Sequence, residues 1–256
     1  MDLQLKGKTA IVTGGTRGIG RAIAEGFADE GANVAICARK ADQVAETVKA
    51  LEAKGVKAWG DVVDIADGAA LQGFVRAAAD KLGGLDVLVS NASALVQGNA
   101  EADWQAMFDI DMLGAVRTWE AAKPLLTEAA AKSGDAAFVI ISSVSSVNAD
   151  APSAYGAMKA ALIHFAKGVA RQNAAAKVRC NVVSPGTVYF DDGVWGNVKA
   201  NMPGFFDQMI KRNPTGRMAT PEEVAAATVF LASPRSAFTT GINMMVDGAI
   251  TTRANY

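Results

Sequence analysis

The chain has 256 residues, of which half are hydrophobic and a fifth are charged, and this composition excludes a disordered or fibrous protein. Twenty-five basic and 26 acidic side chains leave a net charge of −1, which argues against nucleic acid as a partner. The only histidine is His164, so a histidine-based zinc site is excluded, and we expect no bound metal.

Short apolar runs alternate with helical patterns from one end of the chain to the other. Continuously apolar strands in this arrangement predict a parallel sheet that is covered by helices on both faces. No linker or change of composition divides the chain, so we predict one α/β domain over residues 1–256 with a doubly wound, seven-stranded sheet. The predicted strands are 9–13, 33–38, 56–63, 86–90, 137–142, 178–184 and 242–246. The predicted helices are 19–27, 42–54, 68–82, 102–127, 151–176 and one that begins at 221.

The two cysteines, Cys37 and Cys180, lie far apart in strand-like apolar runs. This arrangement predicts buried, reduced thiols, which are typical of a cytosolic protein. The first residues contain no apolar signal core, and no apolar run approaches the ~18 residues that a membrane span needs. We therefore expect a cytoplasmic protein that has no membrane partner.

A glycine-rich turn separates the first predicted strand from the first predicted helix. Glycines there allow the backbone to approach a pyrophosphate, whose negative charge is stabilised at the helix N-terminus. The pattern predicts a dinucleotide-binding site with six candidate contacts: Gly14, Thr16, Arg17, Gly18, Ile19 and Gly20.

A tyrosine and a lysine four positions apart, Tyr155 and Lys159, share one face of a predicted helix. A free phenol loses its proton only near pH 10, but a neighbouring ammonium group favours the phenolate. Several serines precede this pair at the carboxyl end of a strand, where ligands bind in parallel sheets. These features predict Tyr155 as an acid–base group that Lys159 tunes.

The glycine spacing, Gly-x-x-x-Gly-x-Gly, and several later motifs closely resemble those of the short-chain dehydrogenase/reductase family over essentially the whole chain. The later motifs are Asp64-Ile65, Asn91-Ala92, Ser143, Tyr155-x-x-x-Lys159, Pro185-Gly186 and Val246-Asp247-Gly248. The resemblance implies a Rossmann-type fold and a nicotinamide cofactor.

The residue after the second strand usually decides which nicotinamide cofactor such a fold takes. An acidic residue there would bind the ribose 2′-hydroxyl of NAD, but Ala38 is followed here by Arg39, and Arg17 is nearby in the glycine turn. Two guanidinium groups can hold a 2′-phosphate through forked hydrogen bonds. We therefore predict NADP(H) rather than NAD(H); the alternative is that both arginines are simple surface charges.

The resemblance also implies where the remaining cofactor contacts lie. Asp64 and Ile65 are expected near the adenine, Asn91 and Ala92 near the adenosine ribose, and Lys159 at the nicotinamide ribose. The segment with Pro185, Gly186 and Val188 is expected against the nicotinamide, where Phe190 replaces a threonine of many members.

In the chemistry that the resemblance implies, Tyr155 exchanges a proton with the substrate oxygen, and a serine hydrogen-bonds the same oxygen. Ser143 matches the local family pattern better, whereas Ser142 has the commoner spacing to Tyr155; we favour Ser143. Asp111 occupies the position of the family's active-site asparagine, which helps to hold a water linked to the lysine. If its side chain matters, a carboxylate near Lys159 is expected to shift the pH optimum.

These features predict an NADP(H)-dependent enzyme that interconverts a carbonyl compound and an alcohol. The alternatives are a 3-oxoacyl-thioester reductase of the acyl-carrier-protein type and a cofactor-sensing module without catalysis. Residues 191–217 are predicted as an irregular segment, rich in aromatic residues and methionine, which forms a lid over an apolar or aromatic substrate or packs onto the domain. By resemblance, the long helices are expected to form a homotetramer or homodimer.

Overall fold

A computed structural model of the chain describes residues 1–149 and 151–253. Its centre is a seven-stranded sheet in the order β3-β2-β1-β4-β5-β6-β7, in which all neighbouring strands are parallel. The strands are β1 Thr9–Thr13, β2 Asn33–Ala38, β3 Ala58–Val62, β4 Val87–Ser90, β5 Ala136–Ile141, β6 Val178–Pro185 and β7 Asn243–Val246.

Nine α-helices occur in the described residues. They are α1 Gly18–Asp29, α2 Ala41–Glu52, α3 Gly68–Leu82, α4 Glu101–Met107, α5 Leu113–Ser133, α6 Ala154–Asn173, α7 Val194–Asn201, α8 Pro203–Arg212 and α9 Pro221–Ala232. No helix of these residues is both long and apolar enough to cross a membrane.

Each face of the sheet is covered by its own apolar core. Side chains of α3, α5 and α6 pack on one face, around Phe74, Trp119 and Phe138. Side chains of α1, α2 and α9 pack on the other face, around Phe27 and Leu51. The predicted doubly wound α/β fold is confirmed, and β1, β5 and β6 are buried at every position because helices cover both faces of the sheet.

The sheet order places a crevice beside β1. The chain moves outward from β1 through β2 to β3 and then returns to add β4 on the other side of β1. At such a reversal the flanking loops diverge, which leaves space for a ligand at the carboxyl ends of the strands.

The structure corrects the predicted helix over residues 102–127. Its helical backbone runs from Glu101 to Ser133, but a wider π-helical turn, Phe108–Met112, separates α4 from α5. A π turn inserts one residue into the helical repeat, which simple hydrophobic periodicity does not reveal.

The predicted irregular segment, residues 191–217, is also corrected, because it contains α7 and α8. Pro203 stands in the first turn of α8, where its missing N–H costs nothing. Beyond this helix the buried Asn213 donates a hydrogen bond from Nδ2 to the carbonyl oxygen of Asp247, 3.1 Å away, and ties the segment to the end of the sheet.

Both cysteines are free and buried, as predicted. Burial raises the pKa of the thiols of Cys37 and Cys180, that of Cys37 to about 12, so both stay protonated at neutral pH.

A buried arginine joins β6 to the chain around the end of α9. The guanidinium of Arg179 forms a two-pronged ion pair with Asp135, through Nε–Oδ1 at 2.7 Å and Nη2–Oδ2 at 3.0 Å. It also donates to the carbonyl oxygens of Leu231, Ala232 and Ser233. One cation therefore satisfies a buried carboxylate and three carbonyl groups at a helix C-terminus.

Replacing Arg179 by Met is expected to lower the free energy of unfolding by about 3–5 kcal/mol, since it leaves Asp135 buried without its partner. Urea denaturation at pH 7 measures this change. Lys132→Gln is the matched control, because Lys132 pairs with Glu128 on an exposed helix face and its loss should leave the midpoint unchanged. Equal midpoints for wild type and Arg179→Met would contradict the expectation.

Candidate active site

The glycine-rich turn forms a shallow cradle at the N-terminus of α1. Gly14 and Gly18 have φ angles of +66° and +51°, which side chains strongly disfavour. A Cβ atom on Gly20 would overlap the carbonyl oxygen of Gly14, so the strand and the helix can meet this closely only at a glycine. The first N–H groups of α1 have no side-chain cap, and this suits an anionic ligand.

The loop after β4 supports this cradle. The Asn91 side chain donates from Nδ2 to the carbonyl oxygens of Thr13 and Gly14, at 3.0 and 3.2 Å. The backbone N–H groups of Asn91 and Ala92 donate to Thr13 Oγ1, at 3.0 and 3.2 Å. The predicted cofactor residues Asn91 and Ala92 thus lie directly against Gly14, and the amide of Asn91 shapes the turn.

The two candidate arginines lie at the same edge of the sheet. Arg39 follows β2 and is exposed, with its guanidinium free of ion pairs among the described residues. Arg17 precedes α1, and its Nη1 donates to the carbonyl oxygen of Asp192, 3.3 Å away. Thr16 contacts Gln43 on α2 through its hydroxyl, at 3.4 Å. Exposed cations beside an open helix N-terminus fit a phosphorylated dinucleotide.

The predicted adenine contacts follow β3. Asp64 is exposed and accepts the N–H of Ala66 at 3.0 Å, so its carboxylate shapes the turn before α3. Ile65 is partly buried and packs against Gly114. A Cβ atom added to Gly114 would lie 2.6 Å from Cγ2 of Ile65.

A buried ion pair occupies the centre of the site. Lys159 on α6 points its Nζ at Asp111 Oδ1, 2.9 Å away, and the two side chains are 3% and 0% exposed. The same ammonium donates to the carbonyl oxygen of Ile141 at the end of β5, at 3.1 Å. It lies 5.5 Å from the centre of the Tyr155 ring, one turn back along α6.

The ion pair determines the charge of the lysine. Burial lowers the pKa of Lys159, but the Asp111 carboxylate and the Tyr155 side chain raise it, and the pKa lies above its ordinary value. Lys159 is therefore an ammonium ion at neutral pH.

The sequence places the Asp111 carboxylate near Lys159 only through the family position, and the direct ion pair between them is seen in the structure. Asp111 lies in the π turn, and its second oxygen, Oδ2, accepts the N–H of Ala94 at 2.9 Å. A pair separated by so many residues carries no local sequence signal, so only the packing of the π turn on α6 reveals it.

The two candidate serines differ in what holds their hydroxyl groups. Ser142 Oγ donates to the carbonyl oxygen of Lys159 at 2.8 Å, in a buried contact between β5 and α6. Ser143 Oγ accepts the N–H of Ser145 at 3.1 Å. The proton of the Ser142 hydroxyl is therefore used within the protein, whereas that of Ser143 is available to a ligand.

The segment after β6 lies across the cradle. Gly186 donates to the carbonyl oxygen of Val246 at 2.9 Å, next to Pro185 at the strand end, and Val188 pairs with Ala219. The ring of Phe190 then covers Gly18, where an added Cβ would lie 2.8 Å from its Cε2, and it packs equally closely on Gly193. Phe190 is recognisable in the sequence as a departure from the family pattern, but its contacts with the two glycines are seen only in the structure.

The fold brings three groups to the edge of the sheet where the glycine cradle opens: the phenol of Tyr155, the buried ammonium of Lys159 and the hydroxyl of Ser143. His164, also on α6, lies outside this set of contacts, and its side chain shows no hydrogen bond or ion pair among the described residues.

Comparison with known proteins gives a consistent result. Residues 14–251 match a family model described as "Enoyl-(Acyl carrier protein) reductase". The chain is 34% identical to isoepoxydon dehydrogenase patN of Aspergillus clavatus over 96% of its own length and 95% of that protein. It is 31% identical to the 3-oxoacyl-[acyl-carrier-protein] reductase FabG of Chlamydia pneumoniae, over 98% of this chain and 100% of that protein.

Among solved structures, the chain is similar to L-sorbose reductase from Gluconobacter frateurii, which was crystallised with NADPH and L-sorbose. The TM-score is 0.89 at 31% identity, with 99% of this chain and 100% of that chain covered. Similarity to dehydrogenases and reductases over the full length, together with the cradle and the Tyr155–Lys159 pair, leads to one conclusion: the chain is an oxidoreductase that belongs to the short-chain dehydrogenase/reductase family.

Proposed function

We propose that this protein is an NADP(H)-dependent enzyme that interconverts a ketone or aldehyde and the corresponding alcohol. The observation that carries the proposal is the placement of Tyr155 beside the buried Lys159 ammonium, at the edge of the sheet where the glycine cradle opens. The cofactor-sensing alternative is weaker, because a module that only senses a cofactor has no need of a buried, charged lysine beside a phenol.

The cofactor binds at the cradle and supplies the hydride that the reaction transfers. The N-terminus of α1 and the backbone at Gly14, Gly18, Ile19 and Gly20 face its pyrophosphate. Arg39 and Arg17 would hold the 2′-phosphate, and Arg17 would then give up its hydrogen bond to the Asp192 carbonyl oxygen. Asp64 and Ile65 lie at the adenine, Asn91 and Ala92 at the adenosine ribose.

At the other end of the cradle, Lys159 binds the nicotinamide ribose hydroxyls with the hydrogen that its two protein partners leave free. Pro185, Gly186 and Val188 border the nicotinamide, and Val188 holds its carboxamide through backbone groups.

The proton moves through the phenol of Tyr155. In the reductive direction Tyr155 donates its hydroxyl proton to the carbonyl oxygen, and in the oxidative direction the phenolate removes the alcohol proton. Ser143 donates a hydrogen bond to the same oxygen and so orients the substrate. Ser142 instead fixes the start of the loop against α6.

The substrate is a small molecule that residues 191–217 cover as a lid. Trp195 stacks on Phe205 with ring centres 6.1 Å apart, and Met202 and Phe205 are largely exposed. Exposed apolar side chains on a segment beside the active site favour an apolar or aromatic substrate.

A second candidate function is reduction of a 3-oxoacyl thioester, which the similarity to the FabG protein favours. It needs the same Tyr155 and Lys159 chemistry but a carrier-protein docking surface, for which a chain of net charge −1 is poorly suited. Enoyl reduction is not proposed, because family members that perform it place the tyrosine and lysine farther apart.

A homotetramer, or alternatively a homodimer, is the expected assembly. Trp104 and Phe108 are partly exposed on α4 and the π turn, next to the long helices by which this family associates. The expected cytoplasmic location follows from the two buried, unpaired thiols.

Oxidation of NADPH, followed at 340 nm beside NADH with ketones, aldehydes, quinones and acyl thioesters, tests the reaction. We expect turnover with NADPH to dominate, and Tyr155→Phe to lower kcat about 10²- to 10⁴-fold because the proton donor is lost. Titration of NADPH fluorescence should show binding by the variant. Full activity of Tyr155→Phe would overturn the mechanism, and binding without any turnover would favour the sensing module.

Two alanine variants test which serine, Ser142 or Ser143, hydrogen-bonds the substrate oxygen. Ser143→Ala is expected to lower kcat about 10²- to 10³-fold, because the substrate oxygen loses a hydrogen-bond donor in the transition state. Ser142→Ala removes only a contact within the protein and should affect the thermal midpoint more than kcat. The opposite ranking of the two kcat values would assign the role to Ser142.

Arg39→Ala tests the cofactor preference. The ratio of kcat/KM for NADPH to that for NADH should fall about 10- to 100-fold, which corresponds to losing a charged hydrogen bond to the 2′-phosphate. Lys49→Ala, an exposed cation at the far end of α2, is the control and should leave the ratio unchanged. An unchanged ratio for Arg39→Ala would mean that the guanidinium is only a surface charge.

A further inference from the structure

We propose that Asp111 is a positioning residue that offsets the charge of Lys159 and thereby keeps Tyr155 in its proton-donating form over a wider, more alkaline pH range. The proposal rests on the proposed function, because it concerns the proton that Tyr155 gives to the carbonyl oxygen. It deepens that function by assigning the site to the reductive direction.

The first argument is the completeness of the ion pair. Asp111 Oδ1 lies 2.9 Å from Lys159 Nζ, and Oδ2 accepts the N–H of Ala94, also at 2.9 Å. Oδ2 is thus hydrogen-bonded to the backbone, while Oδ1 has the Lys159 ammonium as its charged neighbour. With the side chains 3% and 0% exposed, water screens this attraction little.

The second argument is that the contact is specific to one acid of the π turn. Asp109, two positions earlier, is partly exposed and accepts a hydrogen bond from Gln105 Nε2 at 2.9 Å. The two acids belong to the same turn, but only Asp111 faces α6 and the lysine. The geometry of the turn therefore delivers one negative charge to the active site.

The third argument concerns the groups that surround the ammonium. Asp111 faces it from the π turn, Tyr155 from α6 itself, and the Ile141 carbonyl oxygen from the end of β5. Among the described residues, Asp111 and Tyr155 are the titratable groups that act on Lys159, and both raise its pKa. The lysine therefore stays charged, and its net effect on the phenol depends on Asp111.

These charges have opposite effects on the phenol. A lone ammonium group draws the proton off a neighbouring phenol, whereas a carboxylate paired with that ammonium cancels part of its field. The Lys159–Asp111 pair is neutral as a unit. Reduction needs the neutral phenol and oxidation needs the phenolate, so the carboxylate extends reduction toward alkaline pH and limits oxidation there.

The test compares Asp111→Asn with Asp109→Asn in pH profiles of kcat, measured in both directions between pH 5 and about pH 10. The asparagine keeps an oxygen for Ala94 but removes the charge. We expect the alkaline limb of reduction and the acid limb of oxidation to move down by about one pH unit or more in Asp111→Asn. Asp109→Asn should keep both limbs in place, since its carboxylate does not reach Lys159.

A merely structural role for Asp111 would lower kcat or stability and leave the limbs in place. That outcome would overturn the proposal. A shift of the limbs toward higher pH would also overturn it, because it would mean that Asp111 acts by keeping the buried Lys159 charged rather than by offsetting its charge.

A second readout does not depend on activity. The chain has three tyrosines, so the phenolate of Tyr155 can be followed near 295 nm as the difference between wild type and Tyr155→Phe without cofactor. The difference signal should appear at lower pH in the Asp111→Asn background than in the wild-type background. An identical onset in both would overturn the charge offset, whereas failure of every carbonyl substrate with the expected onset would overturn only the proposed function.

If Asp111→Asn does not fold, the pH at which the Tyr155 phenolate signal appears in the wild-type background still tests the proposal. An onset below about pH 8, far under the value of a free phenol, would show an uncompensated ammonium and overturn the proposal. An onset above that pH supports it.

Discussion

The buried ammonium of Lys159 is the constraint around which the active-site half of this molecule is arranged. A charge that is removed from water needs partners in fixed positions, because an unpaired one would cost several kcal/mol. Here the partners are the carbonyl oxygen of Ile141 and the carboxylate of Asp111. The backbone carbonyl oxygen of Lys159 in turn accepts a hydrogen bond from the hydroxyl of Ser142. Three segments, β5, the π turn and α6, are thereby held together at one residue.

Tyr155 and the segment of residues 191–217 are held in different ways. Tyr155 lies one helical turn from an anchored lysine, so its ring inherits the position of α6. Among the described residues, the segment 191–217 meets the cradle through Gly193, which packs on the Phe190 ring, and through Asp192, whose carbonyl oxygen accepts a hydrogen bond from Arg17. At its other end, Asn213 ties the segment to the end of the sheet.

The parts of the fold that follow from local patterns were predictable from the sequence. Strands such as β1 and β5 are mostly apolar and buried at every position because helices cover both faces, and the glycine turn marks the start of α1. The π turn at Phe108–Met112 and the helices α7 and α8 were not predicted. A single inserted residue leaves the helical periodicity almost intact, and short helices among glycines and prolines have weak periodicity of their own.

The sequence by itself determined the class of fold, the cradle and the chemical identity of the tyrosine and lysine, because each is encoded by residues close together in the chain. The tertiary structure alone decided which groups surround them. Asp111 reaches Lys159, Ser142 is occupied by a carbonyl oxygen while Ser143 is not, and Phe190 covers Gly18. These contacts join residues distant in sequence, and their distances depend on how helices and loops pack at the edge of the sheet, which no local pattern specifies.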